Sequence, residues 1–144
     1  VLLVVISIPG QCVPGLVGVL VVLLMFDMPV WQISTNIRSR PGQWLAEAVS
    51  TFGLLLTIFV CLARAPAALP YPVGLYITSA YWFTASTSFA NPAVTISRSL
   101  SDSFAGIAPA GVAGFVAAQF AGMVAAVLIA QWLWRVEVEA GGID

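Results

Sequence analysis

The sequence predicts an all-α membrane protein, with about four membrane-crossing helices and one re-entrant half-helix. Three observations carry this. Charge is scarce: 8% of the 144 residues are charged and 60% are hydrophobic, whereas a soluble domain carries about 25% charged residues. The mean hydropathy of +1.02 agrees. Second, four apolar segments have the length of a spanning helix, which needs about 20 largely apolar residues. Third, a segment that opens on Asn91-Pro92 lies between two of these and is itself too short to span.

The first apolar segment runs over 1–26. Pro9 and Pro14 interrupt it, so its firmer part is 10–26. Val1–Ile8 has no basic stretch of the kind that opens a signal peptide. The chain starts on Val1, which reads as a start inside a longer protein. A polar stretch, 27–43, contains Pro29, Asn36, Arg38, Arg40 and Pro41 and reads as an external solvent loop. The second helix is expected over 44–63, the third over 70–89 and the last over 107–134. Trp31 and Trp44 flank the loop, and Trp132 and Trp134 close the last helix, positions that suit an interfacial aromatic belt. Arg38 and Arg40 fall on one side of the membrane, Arg64 and Arg135 on the other, so charge bias gives a tie on orientation. In the last helix Ala110, Gly114, Ala118, Gly122, Ala126 and Ala130 recur at i+4. They form a smooth stripe against which another helix can pack closely. Gly15 and Gly18 offer the first helix a similar surface.

Composition also excludes functions. The chain has five Arg, no Lys and no His, hence no basic face for nucleic acid and none of the commonest general base or metal ligand. Cys12 and Cys61 sit in apolar runs and read as small packing residues. No catalytic residue, metal or cofactor is expected.

The informative stretch is Ser86–Phe104. Asn91 is a good N-cap and Pro92 a good first helical residue, so a short helix is expected over 92–100. Proline disfavours helical geometry in the residue before it, and Ser86–Ala90 is expected to be extended, with carbonyls free. Irregular backbone at membrane depth survives only against protein or a watery cavity. A row of carbonyls, the Asn91 amide and the positive end of a half-helix together describe a pore element, which accepts hydrogen bonds from a solute and opposes cations.

At these residues the chain resembles the aquaporin and aquaglyceroporin family. Asn91-Pro92-Ala93 looks like the family's second Asn-Pro-Ala box. The spanning segment before it, the half-helix and the Gly/Ala-rich last helix repeat the family's context. Glu47 and Thr51 match the Glu-x-x-x-Thr of its fourth helix. The resemblance covers roughly 10–135 and implies a right-handed helical bundle, truncated here to helices three to six. It further implies that Glu47 accepts hydrogen bonds from backbone amides of the pore loop, where the competing reading is a residue snorkelling at the membrane surface. It implies a passive channel in the bilayer of the cell inner (plasma) membrane, multi-pass, and a homotetramer in full-length form.

One departure from the family pattern bears on selectivity. Water-selective members carry an Arg directly after this box; here the position holds Val94. The other filter positions fall on Ser88 and Ser79. The resemblance then implies a small, uncharged, mildly polar filter, wider than that of a strict water channel. Arg98 either swings back toward the mouth or pairs with Asp102 at i+4. The run 89–109 is similar to a bacterial subgroup linked to arsenic resistance, which implies water, glycerol-like polyols and neutral arsenite as solutes. Two other readings stand beside the channel: half of a secondary transporter with a broken helix, and a truncated product that does not conduct.

Overall fold

The computed structural model describes residues 2–141, with side chains from 10 to 135. The reading of Val1 lies outside the described residues, as do the side chains of 2–8. Among the described residues five α-helices follow one another: α1 (Leu2–Met25), α2 (Pro41–Arg64), α3 (Pro70–Phe83), α4 (Pro92–Arg98) and α5 (Pro109–Gly141), with a 3₁₀ turn at Pro66–Ala68. Together they make a helical membrane protein.

Helix α1 runs through Pro9 and Pro14 without a break, as membrane helices tolerate proline where neighbours satisfy the freed carbonyls. It ends in a Schellman arrangement: Met28 N–H donates to the Leu23 carbonyl at 2.8 Å and Asp27 N–H to that of Leu24 at 3.2 Å. Asp27 takes the left-handed position (φ 52°), which Asp adopts more readily than most residues. Helix α2 starts three residues before the expected Trp44 because Pro41 sits at its first position.

Helix α3 ends at Phe83 rather than reaching Phe89. At about 1.5 Å per residue its 14 residues rise about 21 Å, short of the ~30 Å hydrocarbon core. Among the described residues Pro41–Arg64 and Pro109–Arg135 are long and apolar enough to cross a membrane. Only 17% and 22% of their most apolar windows are buried within the chain. Helices of a soluble core hide such surface; these turn it outward, as lipid-facing helices do.

The most extensive helix contact among the described residues is α2 with α5, and small residues line it. A methyl group at Gly122 would come within 2.2 Å of the Ala48 carbonyl oxygen, and one at Gly114 within 2.7 Å of the Trp44 indole nitrogen. Phe59 and Trp134 meet edge to face at 6.2 Å near the other end. Gly15 of α1 likewise lies under Ser97 of α4, but Gly18 faces open space and packs against nothing.

The stretch 27–40 is not a free solvent loop. It is laced to 99–108: Ser34 N–H to the Ser99 carbonyl (2.9 Å), Ala108 N–H to that of Asn36 (2.7 Å), and Thr35 N–H to Asp102 Oδ1 (2.7 Å). The sequence shows that this stretch is polar, and polarity alone cannot tell water from a second polar loop as its partner.

Candidate functional site

The site forms where the chain between α3 and α4 meets α2 and α5. Glu47, on α2, is fully buried. A carboxylate there requires donors, and five groups supply them. Oε1 accepts from Phe89 N–H (2.8 Å), Ser86 Oγ–H (3.0 Å) and Ser50 Oγ–H (3.3 Å). Oε2 accepts from Ala90 N–H (3.2 Å) and Gln119 Nε2–H (2.8 Å). Charge-assisted bonds of this kind are stronger than neutral ones.

Two amides drawn toward Glu47 bend the backbone between them and α3. Ser86–Ala90 is not extended: Thr87 (φ 62°), Ser88 (φ 46°) and Ala90 (φ 48°) lie in the left-handed region. That region is unusual for non-glycine residues and more so for a β-branched one, and each such residue costs on the order of 1–3 kcal/mol. The proline effect reaches only Asn91, which is extended (φ −157°, ψ 124°). Among the described residues no hydrogen bond ends on the carbonyls of Thr87–Ala90. The buried Oγ atoms of Thr87 and Ser88 have no partner either. The segment therefore holds acceptors and hydroxyls that the protein leaves unused.

Helix α4 starts from Asn91, whose Oδ1 accepts from Ala93 N–H at 2.8 Å; Pro92 occupies the first position. The Asn91 Nδ2 donates to Gln11 Oε1 on α1 at 3.3 Å. Asn91, Pro92, Gln11 and Thr51 line one cavity of about 190 Å³. Thr51 does not join the Glu47 bonds: its Oγ1 is buried without a partner.

Val94 is half-buried against the apolar cluster of Phe89, Ile107 and Phe115. With Arg98 it lines a cavity of about 380 Å³, to which neither Ser88 nor Ser79 contributes. Ser79 is exposed, its hydroxyl turned back onto the Leu75 carbonyl at 2.8 Å. Asp102 is taken by Thr35, through both its N–H and its Oγ–H (2.9 Å). Arg98 lies instead over the Phe89 ring, 4.4 Å from its centroid.

Two residues of the site were not visible in the sequence. Gln119 on α5 donates to both Glu47 and Thr95 Oγ1, each at 2.8 Å, and so ties α2, α4 and α5 together; the only signal was an amide within an apolar helix. Arg38 is buried. Its Nε donates to the Gly106 carbonyl (2.7 Å), Nη1 to Ser86 (3.1 Å) and Nη2 to Phe104 (2.6 Å). Burial holds the Arg38 guanidinium below its ordinary pKa, although an arginine stays charged all the same. One side chain thereby joins the segment before α4 to the segment after it.

Compared with proteins of known function, 124 residues of the chain are 47% identical to the aquaglyceroporin AqpS of Rhizobium meliloti (strain 1021). The match covers 86% of this chain and 53% of that protein, so the chain spans about half the length of its relative. No family model matches the chain, and no solved structure does.

Proposed function

The chain belongs to the aquaporin family, and from that premise we propose that it forms half of a passive channel for small uncharged solutes. The observation that carries this is the Glu47-anchored segment before Asn91. Its amides are held by protein while the carbonyls of Thr87–Ala90 accept no hydrogen bond among the described residues and the buried hydroxyls of Thr87 and Ser88 stay unpaired. A solute stripped of water needs such a row of acceptors, fixed in advance. Glu47 is engaged by five donors that hold the loop, which supports a bracing role and so a channel over a coupled transporter.

In this reading Asn91, Pro92 and Ala93 set the start of the half-helix. Glu47 positions the loop, and Val94 borders the selective part of the path, while Ser88 and Ser79, the other expected filter positions, share no cavity with it in this chain. Val94 offers neither charge nor donor there, so the path takes glycerol-sized polyols and neutral arsenite as well as water. The full-length channel is a homotetramer in the inner membrane. The experiment is osmotic swelling of vesicles carrying the full-length gene product, with glycerol and arsenite uptake measured alongside. Uptake of both solutes above the lipid background is expected; background uptake of glycerol with the protein inserted would refute the reading.

A further inference from the structure

We infer that Arg38 and Arg98, set around the Phe89 ring, supply the positive charge that the chain lacks at Val94 and so keep cations out of a mouth open to polyols. The inference rests on the channel reading above, and its test is arranged so that the two can fail separately.

The proposed filter positions Val94, Ser88 and Ser79 carry no fixed charge of their own. The positive end of the half-helix opposes cations, and a wider path, which admits small cations with part of their hydration shell, calls for a further barrier beside it. Of the five arginines, these two converge on one residue of the pore segment. The Arg38 guanidinium carbon lies 5.4 Å from the Phe89 centroid and that of Arg98 lies 4.4 Å away. Both distances fall inside the ~8 Å over which physiological salt screens a charge. Phe89 itself is buried, and its N–H is fixed by Glu47.

Stacking on the Phe89 ring does not by itself call for two cations. Like charges at one ring repel, and an apolar side chain would fill either place without desolvating a cation. Arg38 is compensated by three carbonyls. Arg98 is held by the face of the Phe89 ring, and its Nη1 is buried with no hydrogen-bond partner. Buried donors left open are rare in folded proteins and call for a reason. The position supplies one. Arg98 shares the 380 Å³ cavity with Val94, Ser97, Ser101 and Ser103. Arg38 shares a separate cavity of about 320 Å³ with Thr87, beside Ser88. Arg98 thus borders the cavity that holds Val94, Arg38 borders a second cavity that holds Thr87, and neither occupies the position after Asn-Pro-Ala. The barrier is electrostatic and leaves the aperture its width.

The test uses the full-length gene product in vesicles, with potassium leak and glycerol uptake measured on one preparation. Arg98→Gln and Arg38→Gln are each expected to raise potassium leak about tenfold, the order expected from removing one charge at this range in a partly screened site. Glycerol uptake should persist in Arg98→Gln. Arg38→Lys keeps the charge but not the three-carbonyl geometry; it should keep potassium out while glycerol uptake falls. A double Gln variant that passes glycerol normally and holds potassium leak at the wild-type level overturns the inference and leaves the channel reading intact. Absence of glycerol uptake in the wild type overturns the channel reading instead. Where the variants do not insert, the wild type still decides. Raising ionic strength with an impermeant salt should increase its potassium permeability, and a permeability independent of salt overturns the inference.

Discussion

Glu47 Oε1 accepts the Phe89 N–H at 2.8 Å from a position with no solvent exposure. The contact joins residues 42 apart in sequence, and it fixes the pore segment from behind. Replacing Glu47 with Ala removes the acceptor from two backbone amides, Ser86, Ser50 and Gln119. Each buried donor left unpaired costs about 1–3 kcal/mol. Glu47→Ala is therefore expected to lower the thermal midpoint in detergent sharply and to abolish glycerol uptake. Glu47→Gln keeps one acceptor oxygen but turns an NH₂ toward other donors, and should fall between. A Glu47→Ala protein with wild-type midpoint and uptake would remove the bracing role.

The α2–α5 contact predicts opposite outcomes for two glycines. At Gly122 a methyl group meets the Ala48 backbone, which cannot turn aside. Gly122→Ala should cost roughly 1–3 kcal/mol, the usual penalty for overpacking. At Gly18 nothing lies within 4 Å. Gly18→Ala should be neutral or stabilising by up to about 1 kcal/mol, because alanine is the better helix former. Thermal midpoints of the two variants, side by side, check the pair. A loss at Gly18 equal to that at Gly122 would show that the small-residue stripe is not what sets this packing.

The 144-residue chain by itself is expected not to conduct. It spans 53% of the length of its relative. The cavity beside Asn91 and Gln11 is open, and α2 and α5 leave most of their apolar surface uncovered. Purified and reconstituted as a monomer, it should give glycerol flux at the lipid background. Flux from a verified monomer would count against the half-channel reading; flux from a dimer would show two copies completing one path.

The helices were legible because lipid and close packing both act on composition. Apolar length gave α2 and α5, the i+4 run of Gly and Ala marked their contact, and Asn91-Pro92 marked the start of α4. Glu47 was conspicuous as an acid within an apolar run. What it binds was legible only through the family resemblance, because its partners are backbone amides, which carry no sequence signal. Arg38 was read as a solvent residue, since its acceptors are carbonyls of residues 48 to 68 positions away. The end of α3 was misjudged for the same reason. Residues 84–89 are uncharged and mostly small, which a membrane helix tolerates, but Glu47 takes the amides of Phe89 and Ala90 and the stretch turns into left-handed geometry. Only tertiary contact decides between the two.

The selectivity reading turns on Val94. It sits one turn before Arg98 on α4, half-buried, and lines the same cavity. An arginine at this position would add a third cation close to Phe89, where Arg38 and Arg98 already lie at 5.4 and 4.4 Å. It would also fill volume that Val leaves open. The expectation for Val94→Arg in the full-length gene product is therefore a selective loss. Glycerol and arsenite uptake should fall by at least about tenfold, the order seen when a pocket loses room for one substituent. Osmotic water flux should fall far less, because water needs neither the width nor the apolar wall. Crowding by a third guanidinium also lowers stability, so insertion and thermal midpoint are measured on the same preparation. Paired osmotic and solute uptake in vesicles decides the matter. Equal loss of water and glycerol flux would mean blockage or misfolding. An unchanged glycerol-to-water ratio in a well-inserted protein would mean that Val94 does not border the path, and the filter would have to be sought among the Thr87–Ala90 carbonyls.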